Sequence, residues 1–85
     1  MKNVTIYTTP VCPYCVRAKS LLQRKDIPYT EIDVAQDEER RAWLIKATGR
    51  RTVPQIFIGD QPVGGCDDLY ELDRTGKLAE ILADS

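Results

Sequence analysis

The chain has 85 residues, of which 42% are hydrophobic and 29% charged, a composition typical of one globular domain spanning residues 1–85. Twelve basic and thirteen acidic residues give a net charge of -1 without a basic stripe, which argues against a nucleic-acid partner, because such binding requires phosphate neutralisation. The longest apolar run, from Ala42 to Ile45, is far shorter than the roughly 20 residues of a membrane span, so no membrane segment is expected.

The first half of the chain predicts a strand, a helix and a second strand. Residues 4–8 are rich in β-branched side chains around Tyr7 and are typical of a short strand. Residues 13–25 repeat apolar positions every three or four residues, which predicts an amphipathic helix. Its predicted apolar face carries Cys15, Val16, Ala18, Leu21 and Leu22. Residues 29–34 alternate as a half-buried or edge strand does, and the helical crossover predicts that this strand runs parallel to the first.

The second half predicts a helix, a hairpin and two further helices. Residues 37–48 form the second helix, stopped by Gly49, with apolar positions at Ala42, Leu44, Ile45 and Ala47. Two apolar runs around Gly59-Asp60 predict a β-hairpin. A third helix begins near the acidic residues 67, 68 and 71 and is interrupted by Gly76, and residues 77–85 form a short terminal helix. The predicted order is βαβαββα plus a terminal helix, an α/β fold around a four-stranded mixed sheet.

The cysteine content favours redox or metal chemistry over a disulfide framework. Three cysteines are too few and odd in number for a secreted framework, and no apolar leader with a cleavage site opens the chain, so a cytoplasmic, reducing location is expected. Histidine is absent, which removes Cys-His nucleophile pairs. A closed zinc site would need a fourth ligand from elsewhere, and we expect no metal site in the monomer.

The pair Cys12 and Cys15, in the run Cys-Pro-Tyr-Cys, is the feature most informative about chemistry. Residues three apart on a helix have Cβ atoms about 5–6 Å apart, so a reversible disulfide is feasible. Pro13 suits the first helical position, which puts Cys12 at the N-cap, where unpaired N–H groups and the helix dipole favour a thiolate. We therefore predict Cys12 as the nucleophile, with the N–H groups of Tyr14 and Cys15 and the charge of Arg17 as candidate supports, and Cys15 as the resolving thiol. The third cysteine, Cys66, is interpreted as a small core or interface residue rather than a catalyst.

Three separated segments resemble the glutaredoxin family, most of all its compact bacterial members of the third type. They begin at Cys12-Pro13-Tyr14-Cys15, at Thr52-Val53-Pro54-Gln55 and at Gly64-Gly65-Cys66-Asp67, and together they extend over essentially the whole chain. The resemblance implies a thioredoxin-like fold and glutathione-linked thiol-disulfide exchange. It also implies a glutathione site formed by Tyr14, Thr52, Val53, Pro54, Gly65, Cys66 and Asp67.

Roles at this site follow from the resemblance and from general chemistry. By resemblance, Pro54 is the family's cis-proline, and the Val53 backbone pairs with the cysteinyl part of glutathione as an added strand would. Gly64 and Gly65 let the backbone approach a ligand, and Asp67 accepts the α-ammonium of the γ-glutamyl group. Asp68 is better described as a helix cap.

The sequence departs from the family pattern at Thr9, where many members carry a lysine that meets the glycine carboxylate of glutathione. Arg50 and Arg51 are candidate substitutes, and an ordinary solvated charge pair is the alternative. Tyr14 is expected to border the cleft, whereas Tyr7 is expected to serve packing.

We interpret the chain as an enzyme that uses glutathione as co-substrate and has no tightly bound cofactor. We expect it to be a monomer whose partners are disulfide-containing or glutathionylated proteins. Two alternatives stay open. One is a glutaredoxin-like electron donor reduced by thioredoxin reductase. The other is an iron-sulfur carrier in which two chains share a cluster through Cys12 and glutathione thiols.

Overall fold

A computed structural model describes residues 1–83 as a four-stranded mixed sheet flanked by helices. The elements in chain order are β1 (Val4–Thr8), α1 (Pro13–Arg24), β2 (Thr30–Asp33), α2 (Glu38–Thr48), β3 (Gln55–Ile58), β4 (Gln61–Gly64), α3 (Cys66–Arg74) and α4 (Lys77–Leu82). This order confirms the predicted βαβαββα arrangement with a terminal helix. The predicted terminal helix ran to Ser85; α4 ends at Leu82, and Asp84 and Ser85 lie outside the described residues.

The sheet has the order β2-β1-β3-β4, which leaves β2 and β4 at its edges. β1 runs parallel to β2, as the helical crossover predicts, and antiparallel to β3. The hairpin partner β4 runs antiparallel to β3. Every residue of β3 is buried, as are four of the five residues of β1, whereas β2 is mostly exposed. The two central strands therefore form the rigid platform from which the loops at the carboxyl end of β1 and before β3 project.

Two apolar cores of unequal size cover the two faces of the sheet. The larger one lies between the sheet and helices α1, α3 and α4. It includes Ile6, Ile56 and Leu69, all with 0% of their surface exposed. The smaller one consists of Tyr7, Val34, Leu44 and Phe57. The packing role expected for Tyr7 is thus confirmed. Because α1 and α3 share the larger core, their amino-terminal ends are held in fixed positions relative to each other.

Three apolar assignments from the helical spacing are wrong. Val16 is exposed on α1 rather than buried, and Ala42 and Ala47 are exposed on α2, where Leu44 is the one buried residue. The ring of Trp43 covers the smaller core instead, with its centroid 5.7 Å from that of Tyr7 and 5.8 Å from that of Phe57. The large Trp43 ring reaches the sheet from the side of α2, so the smaller core is covered without a contribution from the two alanines.

The helices are short. Over residues 1–83, none of them has both the length and the apolar character needed to cross a membrane.

Candidate active site

The first active-site cysteine, Cys12, is the N-cap of α1. Its backbone is extended, with φ -133° and ψ 101°, and Pro13 follows as the first helical residue. The Cys15 N–H donates a hydrogen bond to Cys12 Sγ at 3.1 Å. Of the two donors expected from the sequence, only Cys15 makes this bond. The N-cap position predicted from Pro13 is therefore confirmed, and one N–H points at the sulfur, as stabilisation of a thiolate requires.

The backbone just before Cys12 is strained. Val11 has a φ of +50° and is fully exposed. A β-branched residue rarely adopts this left-handed conformation, and such outliers cluster at functional sites. No pattern in the sequence pointed to this strain, because valine is common in extended segments.

The second cysteine, Cys15, faces the core and is 2% exposed. Burial, together with its side-chain hydrogen bond to Cys12, raises the pKa of Cys15 to about 12. Burial disfavours the charged form because the thiolate would lose its hydration. Both sulfurs are free thiols in this structure. The partly exposed Cys12 is thus the accessible sulfur, and Cys15 stays protonated behind it, as the predicted nucleophile and resolving thiol require.

The loop before β3 faces these cysteines. The Val53-Pro54 peptide bond is cis, as the resemblance implied. The Val53 carbonyl oxygen lies 3.8 Å from Cys12 Sγ, within the range of a weak hydrogen bond from a thiol. Gln55, at the start of β3, stabilises the loop, because its buried amide Nε2 donates a hydrogen bond to the Thr52 carbonyl at 3.0 Å. Gln55 was not identified from the sequence, since a polar residue in a strand pattern is usually exposed.

A cavity of about 180 Å³ lies between this loop and the start of α3. Its lining residues are Tyr14, Arg50, Thr52, Val53, Pro54, Gly65, Cys66, Asp67 and Asp68. All seven residues of the predicted glutathione site are among them. Three larger depressions, of about 460, 470 and 590 Å³, have no cysteine in their walls and lie elsewhere on the surface. We regard the smaller cavity as the candidate site because Val53 lines it and the Val53 carbonyl oxygen lies 3.8 Å from Cys12 Sγ.

The amino-terminal end of α3 forms one wall of the cavity. Asp68 Oδ2 accepts hydrogen bonds from the Gly65 N–H at 2.9 Å and from Arg50 Nη1 at 2.8 Å. The Arg50 guanidinium, followed by the Gly65 N–H, lowers the pKa of Asp68. Asp68 therefore caps the helix, as predicted. The bond to Arg50 was not predicted, because no local pattern relates residues 18 positions apart.

The two glycines before α3 serve the protein's own packing. A Cβ on Gly64, whose φ is +111°, would collide with the carboxylate of Asp68. A Cβ on Gly65 would lie 3.2 Å from the Pro54 carbonyl oxygen. The sequence-based expectation concerned a ligand; the close neighbours in the structure are the capping carboxylate and the loop before β3.

The remaining cations near the cysteines have other partners or positions. The guanidinium carbon of Arg17 lies 5.8 Å from the ring centroids of both Tyr14 and Tyr70, within range of a cation-π contact. Arg51 is exposed and is not among the residues that line the cavity. Of the two arginines proposed in place of the missing lysine, only Arg50 reaches the cavity.

Cys66 begins α3 and belongs to the larger core, with 4% of its surface exposed. Burial is the main reason that its pKa is raised. The interpretation of Cys66 as a core residue is confirmed, although it also borders the cavity. In residues 1–83, no group of three or more Cys, Asp or Glu side chains is placed to hold a metal ion.

Comparison with known proteins gives consistent matches. The glutaredoxin family model matches residues 4–63. Glutaredoxin 3 of Escherichia coli K12 is 51% identical over 82 residues, which are 96% of this chain and 99% of that protein. The solution structure of a glutaredoxin from Brucella melitensis is 55% identical with a TM-score of 0.86, covering 96% of this chain and 89% of that one.

A buckwheat glutaredoxin has been solved as a complex with glutathione. It is 36% identical to this chain with a TM-score of 0.88, over 95% of this chain and 76% of the buckwheat chain. The fold is therefore thioredoxin-like, as the resemblance implied.

Proposed function

Because this chain belongs to the glutaredoxin family and is a glutathione-dependent thiol-disulfide oxidoreductase, we propose that Cys12 is its nucleophile and Cys15 its resolving thiol. The observation that carries this assignment is the contrast between the two sulfurs. Cys12 Sγ is partly exposed and accepts a hydrogen bond from the Cys15 N–H, whereas the Cys15 thiol is buried with a pKa raised to about 12.

The proposed reaction begins when the Cys12 thiolate attacks the glutathione sulfur of a glutathionylated protein. The substrate disulfide breaks, the protein leaves as a thiolate that takes a proton from solvent, and a Cys12-glutathione disulfide forms. A second glutathione thiolate then attacks the bound glutathione sulfur, which releases oxidised glutathione and regenerates the Cys12 thiolate. Thiol-disulfide exchange is the attack of a thiolate on a disulfide sulfur, so these two steps balance without a metal or a separate general base.

A protein disulfide requires the second cysteine. Attack by Cys12 links the enzyme to one substrate sulfur and releases the other as a thiolate. Cys15 then gives its proton to the released substrate thiolate and attacks Cys12 Sγ, which frees the second substrate sulfur as a thiolate and leaves a Cys12-Cys15 disulfide. Two glutathione molecules reduce this disulfide and leave as oxidised glutathione. The buried Cys15 reacts only with its neighbour because bulk substrates do not reach it.

We propose that the cavity beside Cys12 holds the glutathionyl group, in line with the complex solved for the buckwheat relative. The Val53 backbone pairs with the cysteinyl residue, and Thr52, Pro54 and Tyr14 border it. Gly65 and Cys66 offer the backbone of the α3 start to the γ-glutamyl carboxylate. Asp67 accepts the ammonium, since its exposed carboxylate makes no hydrogen bond or ion pair within residues 1–83.

We further propose that residues 1–85 act as one domain and as a monomer, with disulfide-containing or glutathionylated proteins as partners in the cytoplasm. The support is chemical: the partly exposed Cys12 is open to a macromolecular disulfide. Size-exclusion chromatography with light scattering tests the monomer, since a particle of twice the chain mass would contradict it.

The assignment of the cysteines is tested with Cys12→Ser and Cys15→Ser variants. Cys12→Ser should reduce the rate with every disulfide substrate to background, because no exposed thiol remains in the site. Cys15→Ser should still reduce a glutathionylated peptide but should lose reduction of a protein disulfide, which needs the resolving thiol. A glutathione-coupled assay measures both rates. The assignment is reversed if Cys15→Ser abolishes the first attack.

A further inference from the structure

Three charged side chains line the cavity, and they are not equivalent. Asp68 is engaged twice through the same oxygen, by the Gly65 N–H and by Arg50 Nη1. Asp67, its neighbour in the first turn of α3, makes no hydrogen bond or ion pair within the described part of the chain and is exposed. Arg50 comes from the loop between α2 and β3 and reaches across to α3. One cation thus neutralises one of two adjacent anions.

The charge of the cavity decides which ligands it tolerates. A glutathionyl group carries two carboxylates and one ammonium. Two unpaired carboxylates in the first turn of α3 would attract the ammonium and also repel both ligand carboxylates. With Asp68 paired, a single acceptor remains, and the N–H groups at the start of α3 favour a carboxylate. A ligand that carries an ammonium and no carboxylate would instead be favoured if Asp68 were unpaired, because both carboxylates would then attract it.

We propose that Arg50 is a specificity-determining residue that masks the charge of Asp68, so that the cavity prefers a ligand with two carboxylates and one ammonium to a simple cation. This inference rests on the proposed glutathione cavity and deepens it. Arg50 Nη1 is bonded to Asp68, so we assign the effect of Arg50 to that carboxylate; rescue of Arg50→Gln by Asp68→Asn distinguishes this from contact of its other N–H groups with the ligand. Arg50 is therefore a positioning residue that sets the charge of the cavity. Its removal should change the rates with a carboxylate-bearing substrate and with a purely cationic substrate in different ways.

The negative charge of Asp68 and its role as the helix cap can be separated by mutation. The Arg50 and Asp68 side chains are 50% and 43% exposed, so solvent screens their interaction and its magnitude is modest. The cap depends on an oxygen at position 68 that accepts the Gly65 N–H. Asn at position 68 keeps such an oxygen while it removes the charge. The pair of changes Arg50→Gln and Asp68→Asn therefore restores the charge balance without removing the cap.

The experiment compares two mixed disulfides of one neutral peptide, one with glutathione and one with cysteamine, which has an ammonium and no carboxylate. Reduced enzyme is mixed with each in single-turnover experiments, and release of the peptide thiol gives the second-order rate constant of the Cys12 attack. No free glutathione is present, so only the first exchange is measured. Wild type, Arg50→Gln, the double variant Arg50→Gln/Asp68→Asn and Arg24→Gln are compared. Arg24→Gln, an exposed position at the end of α1, makes the same change of net charge far from the cavity.

Arg50→Gln should lower the rate constant with the glutathionylated peptide about fivefold, which is the effect of roughly 1 kcal/mol from an exposed charge pair. Its rate with the cysteamine peptide should be unchanged or higher. The double variant should recover the glutathione rate to within about twofold of wild type, and the Arg50→Gln loss should shrink as salt rises. Arg24→Gln should match wild type with both peptides.

An equal loss with both peptides, or failure of Asp68→Asn to rescue Arg50→Gln, overturns the inference. If wild type itself shows no preference for the glutathionylated peptide, the proposed glutathione cavity fails instead, so the two failures are distinguishable. Thermal unfolding of each variant identifies a folding defect. If Arg50→Gln is poorly folded, Arg50→Lys, which keeps the charge, must retain the wild-type preference; loss of that preference also overturns the inference.

Discussion

The two active-site sulfurs have the same chemistry and lie three residues apart, yet their surroundings are opposite. Cys12 precedes the helix and receives the Cys15 N–H, whereas Cys15 lies one turn inside and faces the core. A buried thiolate loses its hydration, which is why the pKa of Cys15 is raised to about 12. Position in the helix and burial therefore distinguish the two sulfurs, as the proposed roles require. Asp67 and Asp68 show the same principle, because Asp67 has no hydrogen-bond or ion-pair partner among residues 1–83 and Asp68 is engaged by Gly65 and Arg50.

We predict that the two adjacent aspartates fail in different ways when truncated. Asp67→Ala should raise KM for a glutathionylated peptide about tenfold, the effect of losing one charged hydrogen bond, without a change in melting temperature. Asp68→Ala should instead lower the free energy of unfolding by about 1 kcal/mol, because α3 loses its cap. Steady-state kinetics and urea denaturation measure these quantities. Equal increases in KM would contradict the separation of roles.

At the scale of elements, the site depends on how the start of α3 meets the loop before β3. Gly65 lies against the Pro54 carbonyl, and Gly64 leaves space for the carboxylate of Asp68. Arg50 then ties the loop to the helix from the outer side. These contacts join the two walls of the cavity, the start of α3 and the loop before β3.

We predict that Gly64→Ala destabilises the protein more than Gly49→Ala does. At Gly64 a methyl group meets the Asp68 carboxylate and the φ of +111° is unfavourable, so a loss of about 2–3 kcal/mol is expected. Gly49, which ends α2 with a φ of +72°, has open space around it, so only the backbone cost of about 1 kcal/mol applies. Urea denaturation measures both variants. Equal losses would show that the close approach of Asp68 contributes nothing.

At the scale of the whole molecule, the fold is held by the larger core and by one polar network that links three elements. Glu31 Oε2 on β2 accepts hydrogen bonds from Thr8 Oγ1 of β1 at 2.8 Å and from Lys19 Nζ of α1 at 3.0 Å. Thr8 is buried, so this carboxylate satisfies a hydroxyl at the carboxyl end of β1. The bond to Lys19, then the bond to Thr8, lowers the pKa of Glu31.

We predict that this network contributes to stability in a pH-dependent way. Because the pKa of Glu31 is lowered from 4.5 in the folded protein, its contribution is present above that pH and is lost as the pH falls through the folded value. Glu31→Gln should therefore reduce stability near pH 7 and flatten the decline between about pH 5 and 3. Thermal unfolding across this range measures the slope.

The control for this prediction is Glu39→Gln. It removes the same charge from an exposed position in α2 where the side chain has no hydrogen bond or ion pair within residues 1–83. An identical slope for wild type and Glu31→Gln would show that the carboxylate at position 31 is not linked to folding.

Local patterns were sufficient for much of this molecule. Residues 4–8 and 13–25 show the periodicities of a strand and a helix, and Pro13 marks the helix start because its missing N–H costs nothing there. These features put Cys12 at the N-cap without any tertiary information. The resemblance of three segments added the cavity residues Thr52, Val53 and Asp67, which no periodicity identifies.

Only the tertiary structure decided the features that depend on contacts between distant segments. The pairing of Arg50 with Asp68 and the covering of the smaller core by Trp43 join residues far apart in the chain. The helical spacing put Cys15 and Val16 on the same apolar face, and only the structure shows that Cys15 is buried and Val16 is exposed. A sequence pattern reports the face on which a side chain lies but not the distance to its neighbour, and hydrogen bonds and desolvation act over only a few ångströms. Hence the sequence by itself was enough to propose which residues carry the chemistry, and packing decided which of them are buried and which are paired.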